Sequence, residues 1–246
     1  MDKFPVPEHI ASSDLMLSAL VAMGVLQLTW FSVMTLRRGA PPLTIQHAIT
    51  PLLTIWVLMW PVYVDKNWLW SGLAALILSA LLASLSNSPF WRQLRTAWSE
   101  PSGNAALKIH PSLQLPPLTH QIAALAIAGL WFTHIPEFGF GLALCLCLAF
   151  PAAFWVDHLG TGQTTLLQLR FPAHPEQTLA GHLLLIVCCT ALLSWSLHVY
   201  HGTAWTSLLI ATLIPAITAS AVRALIPGQW NAPAAMLAMG FVMWLL

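Results

Sequence analysis

The sequence predicts an all-α fold, a polytopic transmembrane helical bundle of about eight spans, or seven if one short run is dropped. Three observations lead there. The 246 residues are 58% hydrophobic and only 7% charged, with mean hydropathy +0.75. Soluble domains are roughly a quarter charged, so 9 Lys/Arg and 8 Asp/Glu cannot cover a water-facing surface of this size. The apolar residues fall in long runs, and Lys and Arg favour alternate connections between them.

A span needs about twenty apolar residues. The runs are Leu15–Leu36, Ala48–Val64, Leu69–Leu85, Ile122–His134, Phe138–Val156, Leu179–Val199, Ala204–Val222 and Ala232–Leu246. The fourth and eighth are short. Pro136 and Gly139 divide what would otherwise be one long run, so two helices joined by a tight turn are expected there. Many of the 13 Trp lie near run ends, where amphipathic rings favour the headgroup layer.

With eight spans, Arg37, Arg38, Arg92, Arg95, Lys108, Arg170 and Arg223 fall on one side, and Lys3 and Lys66 on the other. Seven cations against two orient the chain with both termini outside the cytoplasm. An integral protein of a bacterial inner membrane is expected, with the whole of 1–246 as one membrane domain. The N-terminal "MDKFPVPEHIASSD" lacks the basic n-region of a cleavable signal, so the first helix is expected to stay.

Two long connections face the cytoplasm in this scheme. In the first, 86–119, "NSPFWRQLRTAW" spaces Phe90, Leu94 and Trp98 by four, as a short amphipathic helix lying on the inner leaflet would. Its second part, "HPSLQLPPLTH", reads as extended and proline-limited. The second connection, 157–178, opens the polar stretch "DHLGTGQTTLLQLRFPAHPEQTLAG".

Several function classes are excluded or weakened. Net charge of +1 gives no basic face for nucleic acid. "GTGQTT" is not a phosphate cradle, because Gln163 follows Gly162 where a P-loop needs lysine. Cys145, Cys147, Cys188 and Cys189 all lie in apolar runs and read as buried structural thiols. Charges sit at span ends rather than in mid-membrane, which is unlike an ion transporter. Ten histidines raise a haem or metal redox subunit, with His182 near one span end and His198 and His201 near the other.

Asp157 follows "LAFPAAFWV" at the membrane edge. A carboxylate there can hold Mg²⁺ together with substrate phosphates, or it can be a solvated helix end. "HPEQTLAGHLLLIV" then starts a helix whose free backbone N–H groups suit an anion. "AVRALIPGQWNAPAAMLAMGFVMWLL" adds a turn at Pro227, Gly228, Asn231 and Pro233 on the same side.

This three-part order resembles the polyprenol kinase family, which includes the dolichol and phytol kinases and is related to the membrane CTP:phosphatidate cytidylyltransferases. In the family pattern an Asp follows a span, a Lys-Thr-x-Glu-Gly element opens the next helix, and an Ala-Glu-Ala-Leu segment leads through Pro and Gly to Asp-Asn. Here Asp157 stands at the first acid, Gln177-Thr178-Leu179-Ala180-Gly181 at the second element, and Val222-Arg223-Ala224-Leu225 with Pro227 to Asn231 at the third. His47, in "LRRGAPPLTIQHAITPLL", stands loosely at the histidine of an early family span. The chain departs at Gln177 for the lysine, Ala180 for the second acid, Arg223 for the C-terminal glutamate and Trp230 for the first residue of Asp-Asn. Thr164 and Thr165 replace a glycine and an arginine.

The resemblance implies a lipid-alcohol (prenol or polyprenol) kinase, taking the alcohol from the membrane and a nucleotide such as CTP from the cytoplasm. Asp157 would hold Mg²⁺, and Asp157, Arg170 and Arg223 would be catalytic. Gly160, Thr178, Gly181 and Asn231 would contact nucleotide or substrate. The departures favour the alternative class, a non-catalytic membrane subunit or assembly factor of a larger membrane complex, with membrane-protein partners.

Overall fold

The structure is a computed structural model, and it describes residues 12–99, 116–159, 170–171, 174–226 and 228–246. Six helical segments are long and apolar enough to cross a membrane: Ser12–Arg37, Pro42–Val62, Lys66–Leu85, Pro136–His158, Leu179–His201 and Trp205–Leu225. The chain is an integral membrane protein of the all-α polytopic class. Two shorter helices, Thr119–His134 and Asn231–Leu245, take the places of the two short apolar runs.

In chain order the helices are α1 (Ser12–Arg37), α2 (Pro42–Leu52), α3 (Thr54–Met59), α4 (Leu69–Leu85), α5 (Pro89–Trp98) and α6 (Thr119–His134). They continue as α7 (Pro136–Leu144), α8 (Phe150–Leu159), α9 (Leu179–His201), α10 (Trp205–Leu225) and α11 (Asn231–Leu245). The segment α7–α8 is the centre of the bundle, with 72% of its most apolar window buried. It packs on α9, α6, α2 and α3, while α10 joins α9 to α11 and α4 joins α1 to α6. The expected break between α6 and α7 is present at Ile135. A Cβ at Gly139 would overlap the Phe132 backbone, so glycine there lets α6 and α7 meet closely.

Between α7 and α8 the helix widens to a π turn over Cys145–Ala149, with Phe150 N–H donating to the Cys145 carbonyl. Pro151 follows directly and brings no N–H to continue the four-residue ladder. The wide turn is the local answer to that missing donor.

Two expectations change. The second span starts at Pro42 rather than Ala48, because Pro42 begins a helix well from its first turn. Gln46 and His47 thereby enter the span, where they face protein rather than headgroups. The helix at 89–98 forms, but its apolar face does not lie on lipid. Leu94 and Trp98 are fully buried against α1, α2 and α4, and Phe90 is half-buried. Trp98 Nε1 donates to Ser32 Oγ at 2.9 Å, and Arg95 Nε to the Ala83 carbonyl at 2.7 Å. Partners within the protein satisfy these groups.

The polar connection contains a small antiparallel hairpin. Strand β1 (Arg170–Phe171) pairs with β2 (His174–Thr178), Arg170 opposite Thr178. Strand β2 runs straight into α9, fixing where that helix starts.

Candidate functional site

Asp157 lies at the end of α8 and is 4% exposed. The solvated helix-end reading is therefore corrected: burial in a bundle demands partners, and the carboxylate has three. Oδ1 accepts from the Thr178 N–H at 2.9 Å and from Thr178 Oγ1 at 2.7 Å. Oδ2 accepts from Arg223 Nη2 on α10, in an ion pair buried on both sides.

Thr178 is the N-cap of α9, its Oγ1 accepting from Gly181 N at 3.1 Å. The anion expected at this helix start is thus the chain's own Asp157, held where the helix dipole favours negative charge. Gly181 makes room for it, since a Cβ there would overlap the Asp157 carboxylate.

A chain of hydrogen bonds fixes the other side of Arg223. Gln177 Nε2 donates to the Arg223 carbonyl at 3.1 Å. Gln177 Oε1 accepts from His182 Nε2 at 2.9 Å, and His182 Nδ1 meets Ser220 Oγ at 2.8 Å. Because the amide oxygen only accepts, His182 donates at Nε2.

Next to this pair is a cavity of about 410 Å³. Its walls include Gln46, His47 and Thr50 from α2, His120 and Gln121 from α6, and Asn231 at the start of α11. His47 stacks on Phe154 with ring centroids 3.5 Å apart, and Phe154 contacts His158 at 3.9 Å. Gln121 Nε2 donates to Thr50 Oγ1 at 2.9 Å. Three buried polar atoms in these walls, Gln46 Nε2, Gln121 Oε1 and Arg223 Nη1, have no hydrogen-bond partner among the described residues. Five other such atoms lie elsewhere among the described residues; the three on this cavity are placed to bond water or a polar ligand.

The fold brings Asp157, Thr178, Gly181 and Arg223 into contact and puts Asn231 on the same cavity. Gly160 lies outside the described residues, as do the rest of "GTGQTT" and Pro227. Arg170 is placed only by its backbone, opposite Thr178. Sequence reading missed Gln46, Thr50, His120 and Gln121. Their signal was a set of polar residues inside or beside apolar runs.

The donor set does not fit a resident Mg²⁺. That ion needs a free carboxylate oxygen beside substrate phosphates, and here a guanidinium occupies Asp157 Oδ2. No cluster of three or more His, Cys, Asp or Glu suited to a metal occurs among the described residues. Comparison with protein-family models, curated proteins and solved structures finds no match to this chain.

Proposed function

We propose that this protein binds the uncharged, hydroxyl-bearing head of a membrane lipid, a prenol or polyprenol among the candidates, on a polyprenol-kinase-like scaffold that no longer transfers phosphate. One observation carries the reading: Arg223 stands where the resembling family has an acid, and it neutralises Asp157. The family's lysine position is Gln177, which serves the Arg223 carbonyl instead. The positive charge stands on the other side of the site, and among the described residues no acid beside it is left over for a metal.

The cavity's chemistry supports the ligand class. Its ion pair is internally balanced, and the other polar walls are amides, a hydroxyl and imidazoles. Two unpaired donors and one unpaired acceptor complement a hydroxyl, which offers two lone pairs and one proton. The charge bias of the connections favours the cytoplasmic face for this end of the bundle.

The convergence of Asp157, Thr178, Gly181 and Arg223 favours a second reading, a working nucleotide-dependent kinase in which Arg223 leaves Asp157 to meet phosphate. Purified protein in detergent separates the two. On the first reading, prenols raise the unfolding temperature saturably, by about 2.7 kcal/mol of stabilisation at a hundredfold excess over Kd, and no labelled phosphate moves from CTP or ATP with Mg²⁺. Labelled transfer to a prenol would establish the kinase. Neither binding nor transfer would leave the scaffold as a structural subunit.

A further inference from the structure

Helix α1 carries a polar group where none should face lipid. Gln27 is exposed on the bundle surface and has no hydrogen-bond partner among the described residues. The apolar run spans Leu15–Leu36, so at 1.5 Å per residue Gln27 lies within about 2 Å of its middle. An amide in the hydrocarbon centre has no water to bond, and such side chains hydrogen-bond across helices instead.

Its neighbours form a seam. Leu20, Gly24, Gln27 and Phe31 are spaced four, three and four, the repeat that keeps one helix edge facing a partner. Leu20, Gln27 and Phe31 are exposed, and a Cβ at Gly24 would meet nothing within 4 Å. All four line a groove of about 510 Å³ between α1 and the α2–α3 segment. The helix's other edge, with Val21, Val25, Thr29, Ser32 and Val33, is already buried in its own bundle.

We propose that α1 is a dimerisation helix: two copies of this chain associate in the membrane through the Leu20–Gly24–Gln27–Phe31 seam, Gln27 bonding Gln27 of the second copy. A lipid tail could fill the groove but could not satisfy an amide. A second copy can. Copies inserted in the same orientation have parallel α1 helices, so a two-fold axis along the membrane normal brings identical residues together at one depth. A carboxamide both donates and accepts, so it pairs with itself. Gly24, one turn away, lets the backbones approach, as small residues do in membrane interfaces.

The test is cysteine cross-linking in native membranes with the full chain. Leu20→Cys, Gly24→Cys and Phe31→Cys should form disulfide-linked dimers well above the parent chain, whose own four cysteines set the baseline. Ala19→Cys and Leu26→Cys, exposed but off the seam, should stay at that baseline. Gln27→Leu, which keeps α1 apolar and helical, should weaken dimerisation about tenfold, the order of an interhelical amide bond in lipid. Gly24→Leu should block close approach without disturbing the monomer. Equal cross-linking at all five positions, none above the parent, or a Gln27→Leu chain that dimerises as tightly as the parent would each overturn the proposal.

Discussion

Among the described residues two aspartates are buried, at opposite ends of the bundle, and they have different consequences. Asp14, near the start of α1, is 1% exposed. Its Oδ1 accepts from Val64 N at 2.9 Å and its Oδ2 from Asp65 N at 3.0 Å, so it clips α1 to the connection before α4. Close by, Ser71 Oγ donates to Ser18 Oγ at 2.9 Å and extends the clip. Asp157 is almost as buried, but its partners include a buried cation and its neighbours a cavity with unpaired polar atoms. Burial of an acid alone is therefore no sign of a site. Asp157 differs in having a buried cation as partner and a cavity beside it, lined by unpaired polar atoms of three residues.

The comparison is tested most strongly at Arg223. Arg223→Met should destabilise the protein by about 3–5 kcal/mol, because it leaves the Asp157 carboxylate buried without its counter-charge. Adding Asp157→Asn should recover most of that loss, since the charge and its partner then go together. Thermal unfolding in detergent measures both. A neutral single substitution would show that the pair is not buried in solution.

A smaller effect is expected at Asp14. Asp14→Ala strands two backbone N–H groups and should cost about 1–3 kcal/mol, read in the same unfolding assay. Lipid binding should not change. A loss of binding in the Asp14 variant would erase the distinction between a clip and a site.

The smallest stability effect belongs to Gln46. Gln46→Leu removes an amide that has an unpaired nitrogen, so stability should stay within about 0.5 kcal/mol or rise slightly. On the proposed reading, prenol affinity, measured by the saturable shift in unfolding temperature, should fall about tenfold, the 1.4 kcal/mol of one good hydrogen bond. Unchanged affinity would move the ligand away from the α2 wall.

Much of this was legible before any coordinates. The break between α6 and α7 was written in Pro136 and Gly139, and the two short helices followed from run length. Asp157, Thr178, Gly181, Arg223 and Asn231 were picked out as one group by the order of their segments. The polarity of the site was not legible. Arg223 read as a cation facing a substrate, whereas its Nη2 pairs with Asp157 and its Nη1 is left without a partner on the cavity wall. Gln46 lay just before the expected start of its span, and Gln121 just before that of its own. Hydropathy treats such residues as loop.

The physical reason is that hydrocarbon is the solvent. Lipid tails are as apolar as leucine, so the same residue type serves a lipid-facing and a core-facing position. Leu20 is exposed and Leu69 is buried, yet nothing in their local sequence separates them. The same ambiguity hid the face of α5, whose Leu94 and Trp98 could have met either lipid or protein. By itself the sequence determined class, order of spans and the charge bias of the connections, because each depends on how much apolar chain lies between polar breaks. Which helix face turns inward, which cation pairs with Asp157 and where polar atoms are left without partners were decided only in the tertiary structure. Those outcomes depend on contacts between residues as far apart as Asp157 and Arg223, and a one-dimensional pattern does not carry them.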